Sequence, residues 1–145
     1  MWGGIALGIG MHGFLCPRAH SLFFHVYAPA IRLWWVGEDI YVLQTDYFRY
    51  SPLFAVLLSP IVFLPDAWAA LVWKSLNIAV YFAGLKAFWR HGSPCPADAR
   101  LEAAFLLVAL PGSLHSMANG QANCPLIGLM LLALACLAGS RWSGS

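Results

Sequence analysis

The chain alternates between apolar stretches of helical length and short polar breaks. The stretch "DYFRYSPLFAVLLSPIVFLP", residues 46–65, shows the boundary sharply. An acid, an arginine and three aromatics are followed by fifteen residues without a charge. The same pattern divides the whole chain. Residues 1–16 are apolar and glycine-rich, and they read as the end of a first hydrophobic helix. Residues 17–50 carry Arg18, His20, His25, Arg32, Glu38, Asp39, Asp46 and Arg49 among many aromatics. They read as a polar loop lying on a membrane interface, with a short helix over Ala28–Val36. Residues 51–65, 67–90, 101–112 and 123–139 read as hydrophobic helices.

Prolines and lengths refine this division. Residues 51–65 would reach roughly 22 Å as a helix, short of a hydrocarbon core of about 30 Å. Pro60 lacks a backbone donor and kinks the segment, so it either crosses as a short span or re-enters. Residues 67–90 are long enough to cross with some tilt. Residues 90–100 hold Gly92, Ser93, Pro94 and Pro96, which break any helix. Pro111 and Gly112 end or bend the next helix. The fold class is therefore all-α: a polytopic membrane protein with four to five hydrophobic helices and a polar interfacial first loop. The chain is expected to form a single integral membrane domain over residues 1–145, truncated at its start.

Composition supports a lipid surrounding. Hydrophobic residues make up 61% of the chain and charged residues only 10%, where soluble domains carry about 25% charged residues. Seven Trp, five Tyr and nine Phe suit interfacial aromatic belts. The net charge of +2 comes without any basic run and argues against nucleic acid. Cys16, Cys95, Cys124 and Cys136 show no close pair or metal spacing, and no histidines pair at i, i+4, so neither metal nor cofactor is expected. Lys86, Arg90, Arg100 and Arg141 favour a cytoplasmic side. That choice puts residues 113–123 and the Pro65–Asp66 turn on the opposite face. The first loop joins them there only if residues 51–65 do not cross fully.

Three groups of residues have two readings each. Asp46, Arg49 and Tyr50 form either a solvated loop end anchored by aromatics or a membrane-surface site. In the second case Arg49 offers its planar fork to a lipid phosphate. In "MANGQAN", residues 117–123, Asn119 and Gln121 belong either to a turn in which Asn123 caps the next helix, or to a sugar-binding site. Lys74, Asn77 and Tyr81 share one helix face. They line a protein interior or cavity, or Lys74 snorkels to the interface.

Taken together, "GEDIYVLQTDYFRYSPLFAVLLSPIVFLP", then "W" and "LN", then "NGQAN" before an apolar helix resemble glycosyltransferase family 87. These are multispanning GT-C enzymes similar to polyprenol-phosphate-mannose-dependent mannosyltransferases, and the resemblance runs over roughly residues 23–142. It implies a membrane hexosyltransferase at the cell membrane that moves a sugar, mannose, from a polyprenyl-phosphate donor to an extracytoplasmic acceptor. An acid after the first helix is expected to act as general base. The family pattern runs approximately Asp-Phe-x-Val-Tyr, Ala, then Gly-x-Asp-x-Tyr. Val26, Tyr27, Ala30, Gly37, Asp39 and Tyr41 fall in register with it, which puts Phe23 in the acid's place.

Phenylalanine accepts no proton, so Asp46 and Asp39 become the candidate bases. Arg49 and Tyr50 are candidates for the donor, and Asn119 and Gln121 for the sugar. GT-C enzymes have about eight to thirteen spans, so the resemblance also implies a fragment whose partners are membrane lipid, the lipid-linked donor and the remainder of the enzyme. The competing reading is a non-catalytic membrane fragment or small helical subunit. A small transporter is disfavoured because no span carries paired acids.

Overall fold

Local chemistry accounts for where the helices start and stop. The structure, a computed structural model, describes residues 2–19, 21–41, 48–93 and 98–142, without the side chains of Trp2 and of 140–142. Helix α1 is Trp2–Leu15. A π-helical turn, Phe23–Tyr27, leads into α2, Ala28–Val36. Gly37 ends α2 in the left-handed region at φ 77°, where the lack of a Cβ removes the steric cost. Helix α3, Pro52–Val62, starts where the Ser51 hydroxyl accepts the Leu53 N–H at 3.1 Å, with proline at the first turn. Helix α4 is Asp66–Ala87, extended by a second π-helical turn, Phe88–Gly92. Helices α5, Ala99–Ala118, and α6, Asn123–Trp142, complete the chain. Among the described residues there is no strand.

The sequence puts the end or bend of a helix at Pro111–Gly112, but α5 runs on to Ala118. Pro111 removes the single donor that would meet the Leu107 carbonyl, and the helix continues past it. Two residues on, the Ser113 hydroxyl lies 3.0 Å from the Ala109 carbonyl and 2.9 Å from that of Leu110 and donates back into the preceding turn. In α3, Pro60 likewise lies inside the helix, and the neighbouring Ser59 Oγ donates to the Ala55 carbonyl at 2.8 Å. With 11 residues, α3 is only about 16 Å long.

Two helical stretches, Asp66–Gly92 and Ala99–Ala118, are long and apolar enough to cross a membrane. Gly3–Leu15, Pro52–Val62 and Asn123–Gly139 are apolar but shorter. The outward faces match a lipid solvent: Val108 is 80% exposed and Met130 66%.

The chain divides into two compact units. The first is Met1–Ser75 with Ala118–Gln121, and the second is Leu76–Met117 with Ala122–Ser145. In the first unit, α1 and the start of α4 meet over glycines. A Cβ on Gly13 would lie 2.8 Å from Lys74 Cδ, and one on Gly10 would lie 3.4 Å from Leu71. Trp35 Nε1 donates to Ser59 Oγ at 2.8 Å, which ties α2 to α3. In the second unit, α4 and α6 cross backbone to backbone. A Cβ on Gly84 would lie 2.3 Å from the Gly128 carbonyl oxygen, so only glycine fits there. Trp89 stacks on Phe105 at 5.4 Å, and Lys86 pairs with Glu102 at 3.7 Å.

Candidate functional site

The first unit is built around a block of aromatic rings. Tyr50 stacks on Phe54, with centroids 4.6 Å apart and planes at 20°. Tyr27 meets both rings edge-on, at 5.3 Å and 5.4 Å, and its hydroxyl lies 3.2 Å from that of Tyr50. Trp73 closes the block against Phe23, Tyr27 and Phe54. Aromatic pairs in these edge-on and offset arrangements hold geometry as well as bury area. The block therefore acts as a rigid floor.

Two of the sequence-predicted groups lie at opposite ends of this floor. At one end is Tyr50, whose carbonyl accepts the Tyr41 hydroxyl at 3.2 Å. At the other end is the turn Asn119–Gly120–Gln121. The Asn119 carbonyl accepts the Leu22 N–H at 2.9 Å, and the Gly120 carbonyl accepts Trp73 Nε1–H at 2.7 Å. Gly120 has φ 64°, and a Cβ there would lie 3.2 Å from the indole. Asn119 and Gln121 are half-buried.

The other predicted residues lie apart from the block or serve structure. Arg49 is exposed between buried Phe48 and half-buried Tyr50, so its neighbours fix its backbone while the guanidinium faces outward. Asp39 is exposed, and its Oδ1 accepts the Tyr41 N–H at 2.9 Å. Asp46 lies outside the described residues. Phe23 is fully buried and packs on Phe24, Tyr27 and Trp73. Its side chain is part of the buried aromatic block. Lys74 does not snorkel. It is 1% exposed, its stem lies over Gly13, and its Nζ has no hydrogen-bond partner among the described residues.

The structure also assembles a polar cleft of about 310 Å³ in the same unit, lined by Arg18, Phe24, His25, Ala28, Pro29, Arg32 and Asp66. Arg18 reaches Asp66 Oδ2 through both Nε and Nη2, each at 2.8 Å. His25 Nε2–H donates to the Arg18 carbonyl at 3.2 Å. Sequence reasoning missed this group because Arg18 and Asp66 are 48 residues apart. The only local hint was an acid opening a long apolar helix, where the helix dipole favours negative charge. Among the described residues no three His, Cys, Asp or Glu side chains converge as metal ligands.

An all-helical chain with two helices of crossing length, lipid-suited outer faces and a polar aromatic shoulder defines a class of membrane protein. Residues 48–145 match glycosyltransferase family 87, and the chain belongs to that family. Family members are membrane proteins. The match includes Arg49, Tyr50, Asn119 and Gln121, whereas Phe23, Asp39 and Asp46 precede it. No solved structure matches the chain.

Proposed function

We propose that this chain belongs to a multi-pass hexosyltransferase of the cell membrane that moves a sugar, mannose, from a polyprenyl-phosphate donor to an extracytoplasmic acceptor. Membership of glycosyltransferase family 87 carries this reading. One aromatic block that carries Tyr50 at one end and the Asn119–Gln121 turn at the other supports it.

In the proposed reaction an acceptor hydroxyl oxygen attacks the anomeric carbon. The bond from that carbon to the phosphate oxygen breaks, and lipid phosphate leaves with the electron pair. The configuration at the anomeric carbon inverts. A carboxylate takes the hydroxyl proton, and with Phe23 buried this role falls to Asp46 or Asp39. Arg49 stabilises the charge developing on the leaving phosphate. The Asn119 and Gln121 amides bond sugar hydroxyls. The partners are the lipid-linked donor, surrounding lipid and the remainder of the enzyme.

The test is transfer of radiolabelled mannose from mannosyl polyprenyl phosphate in membranes expressing the chain together with the remainder of the enzyme. We expect label to enter product. Asp46→Asn or Asp39→Asn should lower transfer by about 10²–10⁴-fold, whichever residue is the base. Arg49→Ala should lower it at least about tenfold. Transfer no higher than in membranes lacking the chain would overturn the reading. Full activity in all three variants would overturn the site.

A further inference from the structure

We propose that the cleft between Arg18 and Arg32 is a receptor for the phosphoryl group of a membrane lipid. Two guanidinium groups face one carboxylate among its lining residues, so the cleft carries net positive charge. Arg18 spends Nε and Nη2 on a single Asp66 oxygen, which fixes the guanidinium and leaves its Nη1 edge available. Arg32 is exposed and has no acceptor among the described residues. His25 has Nε2–H committed to the Arg18 carbonyl, which leaves Nδ1 facing outward from that bond. Phe24, Ala28 and Pro29 supply apolar walls that strengthen a charge–charge contact. Planar guanidinium forks match phosphate oxygens two at a time.

Depth selects a lipid as the source of that phosphate. Asp66 opens the helix Asp66–Gly92, which is long and apolar enough to cross a membrane, so the cleft lies level with the end of that stretch. In the same unit Phe63 and Trp68 are exposed, Trp68 meets Phe14 edge-on at 5.7 Å, and Trp34 and Trp35 of α2 are also exposed. Exposed indoles around a span end mark headgroup depth. An anionic headgroup there meets the two arginines while its chains lie along the apolar surface.

This inference goes beyond the transferase reading, because it holds for a lipid phosphate that carries no sugar. The probe is dioleoyl phosphatidate, added to the purified full-length chain in detergent and followed by native mass spectrometry. Dioleoylglycerol and inorganic phosphate are the comparison ligands. The wild-type chain should retain phosphatidate at least about tenfold better than dioleoylglycerol. Arg32→Gln should weaken that retention about tenfold, Arg32→Lys should restore part of it, and Arg100→Gln should leave it unchanged. Arg32 is exposed on α2 without a structural bond, so its variants should keep the wild-type circular dichroism spectrum. Retention by Arg32→Gln equal to wild type would overturn the proposal. So would full displacement by an equal concentration of inorganic phosphate, which would identify a soluble phosphate site. Because phosphatidate donates no sugar, a failed transfer assay and a failed binding assay remain separate results.

Discussion

Gly120 shows how one residue can position a candidate site. Its φ of 64° suits glycine, and its carbonyl is the acceptor for the Trp73 indole at 2.7 Å. Ala at this position pays about 1–2 kcal/mol for the left-handed backbone and also presses on the indole 3.2 Å away. Gly120→Ala should therefore lower thermal stability in detergent and loosen the Asn119–Gln121 turn. Gly8→Ala is the control. Its Cβ meets nothing within 4 Å, so it should be neutral or stabilising by up to about 1 kcal/mol. Equal melting temperatures for the two variants would refute the role assigned to Gly120.

At the scale of elements, glycine decides how closely the helices cross. The Gly84–Gly128 crossing leaves no room for a side chain, and the obstructing atoms are backbone, which cannot swing aside. Gly84→Val should cost about 1–3 kcal/mol or more through forced separation of α4 and α6, read as a lower melting temperature in detergent. An unchanged melting temperature would mean that the helices do not cross there. Pro111 reads in sequence as a helix end or a bend because proline removes a donor, and α5 runs on through it to Ala118. One missing bond leaves the rest of the ladder intact, so a proline within an apolar run does not by its position alone fix where the helix stops.

At the scale of the molecule, the decisive feature is the solvent. Apolar side chains such as Leu137, 64% exposed, and Val108 cover the outer surfaces of α5 and α6, and patches of this kind are rare on water-facing monomers. The chain should stay in the membrane pellet through alkaline carbonate washing and leave it only with detergent. Release by carbonate would contradict the membrane assignment. Apolar composition and length made this solvent, the all-α class and the short helix over Ala28–Val36 legible from the chain alone. Motif order made the family legible.

What the sequence determined by itself is therefore local or compositional: which segments prefer oil, where the stretch after Gly92 and the Asn119–Gln121 stretch interrupt them, and that Phe23 cannot hold a proton. Tertiary structure decided the rest. It joined Trp73 to Gly120 across 47 residues and Arg18 to Asp66 across 48. It buried Lys74 under Gly13 and placed Phe23 in the core. Periodicity reports which face of a helix is apolar. It carries no information about which distant donor meets which acceptor, because that depends on how closely two backbones approach, and here single glycines set that distance.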